Sequence, residues 1–190
     1  MKLMVICMAI ILVAAYLLGG RLRNMADLKI EWGWLALIGL ALQFVTGPGD
    51  TVPLVCLYVS FALLIIFTIK NIRVFGFPLI LAGVLCNLLV IGINGGMPVS
   101  KHALRASDQG QFLGDLENNP YPKHHLATDD DLLRYLGDVI PVPSPVEQAI
   151  SLGDILTYGG VGFVIVGAMR GVPARRRDVE ETQGKVASVG

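Results

Sequence analysis

The sequence predicts an all-α, polytopic transmembrane bundle of about five helices, with a partly helical extracytoplasmic segment between the fourth and fifth. Three observations predict it: the apolar residues come in long uncharged blocks, the basic residues divide unequally between alternate links, and a polar stretch near residues 95–150 stands apart from the blocks. Of the 190 residues, 54% are hydrophobic and 16% charged, whereas soluble domains carry about 25% charged residues. An uncharged apolar run of about 18 residues is read as a membrane span rather than as one face of a soluble helix.

The blocks follow in order. The first runs from Leu3 to Leu18. A Met-Lys start before such a run also opens cleavable signal peptides, but Leu17-Leu18-Gly19-Gly20-Arg21 offers no A-x-A-like site, so an uncleaved span is expected. The second runs from Trp32 to Val45, with Trp32 and Trp34 at an interface. Gly47-Pro48-Gly49-Asp50 then predicts a tight reversal. The third runs from Pro53 to Ile69, the fourth from Phe77 to Asn94 and the fifth from Leu152 to Met169. From Gly171 onward the tail is Arg-rich, then acidic, then small and polar, and disorder is expected there.

Charge sets the expected direction. Arg21, Arg23, Lys29, Lys70, Arg73, Arg170 and the tail place ten of the fifteen basic residues on one side. The other five, Lys2, Lys101, Arg105, Lys123 and Arg134, are spread over far more chain. Positive charge is retained in the cytoplasm, so the N-terminus is expected outside and the C-terminus inside. Net charge is zero, which excludes a chain-wide basic field for nucleic acid. Cys7, Cys56 and Cys86 all lie in apolar blocks without metal or disulfide spacing, and read as small apolar fillers. No metal site and no cofactor signature is present, so the expected partners are the lipid bilayer and a membrane-protein partner or second copy.

Any chemistry is expected in the outer segment, 95–150, which holds eight acidic against four basic residues. Thr128 with Asp131 resembles a capping box, and the Asp129-Asp130-Asp131 run would suit a helix N-terminus, so a short helix is expected over 128–137, closed by Gly137. His124 and His125 are adjacent, so their side chains should diverge; both are candidate binding residues. Pro141, Pro143 and Pro145 predict a stiff, extended run, with Ser144-Pro145 opening a second short helix. Ser151 and Asp154 match a capping box at the start of the fifth span. Within the bilayer, Asn87 and Asn94 share one face of the fourth span with Gly83 nearby, and both amides are candidate binding groups. Gly153, Gly160 and Gly167 form a smooth strip on the fifth span, and the two faces are expected to pack. Asp138 and Asp154 are the candidate catalytic pair: two acids near one outer surface, one raised in pKa to hold a proton, if they meet.

Asn94-Gly95-Gly96-Met97-Pro98-Val99, Lys123-His124-His125-Leu126 with Leu136-Gly137-Asp138-Val139-Ile140-Pro141, and Ser151-Leu152-Gly153-Asp154-Ile155-Leu156 occur in that order. Together they resemble the signatures of the bacterial membrane proteins grouped as domain-of-unknown-function family 5317. The resemblance covers the first span to the fifth and implies a multi-span protein of the bacterial plasma membrane, with no established activity. The acidic outer segment and the lack of a nucleophile, phosphate or metal signature make a non-enzymatic scaffold or accessory subunit the expected role, with an outer-leaflet enzyme using Asp138 and Asp154, or a small oligomeric transporter, as the alternatives.

Overall fold

The computed structural model describes residues 2–45, 51–118 and 123–172; the reversal expected at 47–50 and the tail beyond residue 172 lie outside the described residues. The chain is mostly helical, and three helices are long and apolar enough to cross a membrane: α3 (Thr51–Lys70), α4 (Phe77–Asn94) and α7 (Leu152–Met169). Two shorter apolar helices accompany them, α1 (Lys2–Leu17) and α2 (Gly33–Leu42). At about 1.5 Å per residue, α1 is about 24 Å long and α2 about 15 Å.

Polar contacts fix the ends of the short helices. Lys2 at the start of α1 pairs with Glu147 at 2.5 Å, on the side of the polar segment. Past the other end of α1, Arg21 N donates to Met169 O at 2.7 Å and Asn24 Nδ2 to the same carbonyl at 2.8 Å, at the end of α7. The start of α2 is tied to the end of α3. The fully buried Asn71 accepts from Glu31 N and donates to Glu31 O, both at 2.9 Å, and Lys70 Nζ lies 4.5 Å over the Trp32 ring. Beyond α2, Lys123 Nζ donates to Gln43 O (2.6 Å) and Val45 O (2.8 Å), a cation on the carbonyl end of the helix. Lys123→Met is therefore expected to lower stability by about 1 kcal/mol, read as a fall in the unfolding midpoint with Lys101→Met as the exposed control.

Helices α4 and α7 form the most extensive helix pair. The main core is built by Leu57, Phe61, Phe77, Val84, Val90 and Val164, which are contributed by α3, α4 and α7. At the far end from Lys70, a cap of short elements covers the bundle. Strand β1 (Met97–Val99) pairs in parallel with β2 (His124–Leu126), Met97 opposite His124, and on its other side Val99 bridges Asp138. Helices α5 (Lys101–Ala106) and α6 (Leu113–Asn118) follow β1, α5 capped by Ser100 Oγ accepting from Ala103 N. Strands β3 (Ile140–Val142) and β4 (Gln148–Ile150) form an antiparallel pair. The cap has its own apolar centre, including Ala103, Leu104, Leu126 and Ala149.

Three expectations are corrected. The chain is not purely α-helical, because the cap is knitted by two small sheets. No helix spans 128–137: Asp131 does accept from Thr128 N and Oγ1, but Asn94 takes both backbone groups of Leu132, and Leu133 has φ +54°. Only a 3-10 turn, Arg134–Leu136, remains. An eight-residue helix is marginal alone, and these tertiary bonds outcompete it. Ser144-Pro145 opens no helix either; it is a cis peptide in the turn leading to β4.

Candidate functional site

The site arises where β1 joins the two flanking segments. Alternate residues of a strand point to one face, so Met97 and Val99 face the same way, and the register carries His124 and Asp138 to that face with them. Close approach of the Asp138 segment requires Gly137, since a Cβ there would collide with Pro98 O. His124 Nε2 ends 3.9 Å from Asp138 Oδ2. His125 diverges to the other face, where Nε2 lies 2.9 Å from Asp131 Oδ1.

The third group comes from α7. Ser151 caps this helix: its Oγ accepts from Asp154 N at 3.0 Å while Asp154 Oδ2 accepts from Ser151 N at 3.1 Å, the reciprocal box read from the sequence. Asn87 of α4 completes the clamp. Its Nδ2 donates to Asp154 Oδ1 at 2.9 Å and its Oδ1 accepts from Ser151 Oγ at 2.9 Å. Helix α7 approaches closely enough for this because Gly153 faces Asn87 and Gly83 faces Thr157. Asn94, the other amide of the same face, acts elsewhere: it bonds Val90 O in its own helix and grips Leu132.

No direct contact joins Asp138 to Asp154 among the described hydrogen bonds; Asp154 acts on Asp138 through its charge. Asp138 is 9% exposed, and burial pushes its carboxyl well above the usual carboxylate range, with the charge of Asp154 pushing it further. His124 opens onto a recess, with half of its side-chain surface accessible. The loss of surrounding water holds its imidazole below the ordinary histidine value, opposed by the charge of Asp154. Both shifts act toward the uncharged forms, a protonated Asp138 and a neutral His124.

The recess is a cavity of about 600 Å³ at the mouth of the cap. Asp138, His124, Gln109 and Gln148 line its polar part, and Leu104 and Phe112 belong to its apolar part. The Lys2–Glu147 pair also faces into it, which brings the first residues of α1 to the site. Sequence reasoning missed Lys2, Gln109, Gln148 and Glu147, and no local motif marks them. Asn87 was legible as a packing and candidate binding group, and Ser151 only as a capping group. Among the described residues no group of three or more His, Cys, Asp or Glu side chains could hold a metal ion.

Residues 27–166 match a family described as a family of unknown function (DUF5317). The chain belongs to that family. A relative named "Uncharacterized protein" from Thermotoga maritima is 31% identical over 153 residues, covering 79% of this chain and 83% of the relative. No solved structure matches. The family match begins past α1 and takes in Asn87, the whole cap and Asp154, so His124 and Asp138 lie within it too.

Proposed function

We propose that this DUF5317 member is a five-span protein of the bacterial plasma membrane, N-terminus outside, whose outer cap binds a small polar or amphipathic ligand and exchanges a proton with it at Asp138. The carrying observation is the buried Asp138 carboxyl facing the cavity, 3.9 Å from His124 and under the charge of Asp154. Perturbed titratable groups converging in a cleft are the physical mark of acid–base sites. In this arrangement Asp138 donates the proton, His124 accepts one, and Asp154, held by Asn87 and Ser151, supplies a fixed negative charge.

Five crossings are supported by the ends of the helices. Helix α1 runs from the cap to the end of α7, and the α2 segment runs from the end of α3 to Lys123 of the cap. Both short segments therefore join the same two levels as the long helices. With Cys7, Cys56 and Cys86 replaced by Ala, Arg105→Cys is expected to react with a membrane-impermeant maleimide in intact cells, and Arg73→Cys only after permeabilisation. The reverse pattern would overturn the orientation.

Mass spectrometry of the protein released from mild detergent tests ligand binding. The native chain is expected to carry one small molecule or lipid that is depleted in both Ala149→Trp, which fills the cavity, and Asp138→Asn, which leaves its shape intact. An empty cavity together with a stoichiometric membrane-protein partner would favour the scaffold or accessory reading, which the acidic outer segment motivates.

A further inference from the structure

We infer that the turn carrying Leu132, Leu133 and Tyr135 is an outer-leaflet anchor, its side chains seated among lipids at the boundary between headgroups and acyl chains. This inference rests on the membrane reading above but does not involve the cavity. Leu132, Leu133 and Tyr135 are 62%, 44% and 76% exposed, a cluster of large apolar groups in one turn beside the end of α4. Such a cluster on an otherwise polar surface marks a contact.

The level of the turn identifies that contact. Asn94, the last residue of α4, donates to Leu132 O at 2.8 Å and accepts from Leu132 N at 2.9 Å. Leu136, one residue past Tyr135, packs against the core shared by α3 and α4. The turn is therefore pinned at the height where α4 leaves the bilayer and cannot stand off into solvent. An exposed stripe on α4, Leu85, Leu89 and Ile93 at four-residue spacing, leads up the helix to that height. Leu133 holds φ +54°, an unusual conformation for a leucine, which the flanking contacts maintain.

Polar groups around the turn suit the same depth. The Arg134 guanidinium pairs with Asp129 at 2.5 Å and lies 5.4 Å from the Tyr135 ring centroid. An Arg and a Tyr side by side, apolar bodies toward the acyl chains and polar ends toward water, are characteristic of the membrane interface. The occupant that fits is a lipid surface rather than a peptide, because the cluster is held at the level where the exposed stripe of α4 ends and has Arg134 and Tyr135 together beside it.

The full chain is reconstituted in phosphatidylcholine–phosphatidylglycerol vesicles with Trp32 and Trp34 replaced by Phe and a single reporter, Leu132→Trp or Leu85→Trp. Lipids brominated near the glycerol or near the methyl end then quench by depth. Leu132→Trp is expected to emit at shorter wavelength than free tryptophan and to lose most fluorescence to the shallow bromines, Leu85→Trp to the deep ones. Unquenched Leu132→Trp with quenched Leu85→Trp overturns the anchor while leaving the membrane reading intact. In that case water-like emission places the turn in solvent, and blue-shifted emission places it against protein. If neither reporter is quenched, the membrane reading itself fails.

Discussion

Gly153→Val is expected to lower stability by about 2–4 kcal/mol, while Gly167→Val changes it by less than about 0.5 kcal/mol. Both glycines belong to one strip at seven-residue spacing, and the sequence treats them alike. The structure does not. A Cβ at Gly153 would collide with the side-chain oxygen of Asn87 and stand 2.7 Å from Gly83 O, whereas one at Gly167 meets nothing within 4 Å. Valine at 153 must push the first turn of α7 away from α4. That shift breaks the Asn87 bonds to Asp154 and Ser151, each worth about 1 kcal/mol, besides the cost of overpacking. The expected total is a large share of a typical stability of about 5–15 kcal/mol. Unfolding in detergent–denaturant titrations, run side by side on the two variants, reads the difference directly. Equal midpoints would mean that α4 and α7 are not held through this contact.

The contrast between those glycines shows which parts of the molecule are local. The ends of α4 and α7 match the apolar blocks read from the sequence because Gly76-Phe77-Pro78, Gly95 and Ser151 punctuate them within a turn. The box between Ser151 and Asp154 is likewise legible, since it closes over three residues. The cap is not. Its strands have three residues each, too few for a period of two to show, and the register that joins His124 to Met97 is set across the whole α5–α6 excursion. Thr128 and Asp131 gave a valid local signal, and their hydrogen bonds form. The helix still fails, because Asn94, 38 residues away, claims the backbone of Leu132. Asp138 and Asp154 could be named as interesting acids from their surroundings in sequence. His124 becomes the partner of Asp138 only through the alternation of β2, which also sends His125 to Asp131.

Asp138→Asn is expected to stabilise the protein at neutral pH while depleting its ligand. The native Asp138 carboxyl titrates above its ordinary value of 3.8, chiefly because it is buried. Between 3.8 and the native value, the folded chain holds a proton that the unfolded chain has lost. Stability therefore falls as pH rises across that window and is level above it, with a slope of at most about 1.4 kcal/mol per pH unit. Asparagine has nearly the same shape and no charge to bury, so the variant should escape this loss. Its advantage over the native chain should be largest near neutrality and vanish as pH approaches 3.8. His124 works in the opposite sense. Its native value lies below 6.5, so acid protonates the unfolded chain first and stability is lost as pH falls from 6.5 toward the native value. His124→Gln should remove that acid-side loss and leave the Asp138 slope in place. Unfolding midpoints of the three proteins from about pH 4 to about pH 8 separate the two slopes. If Asp138→Asn follows the native curve throughout, the carboxyl does not hold a proton in the fold and its role as donor fails. If the variant is both more stable and empty, the chain keeps an acid in its cap against its own stability. A group retained at that cost serves the ligand rather than the fold.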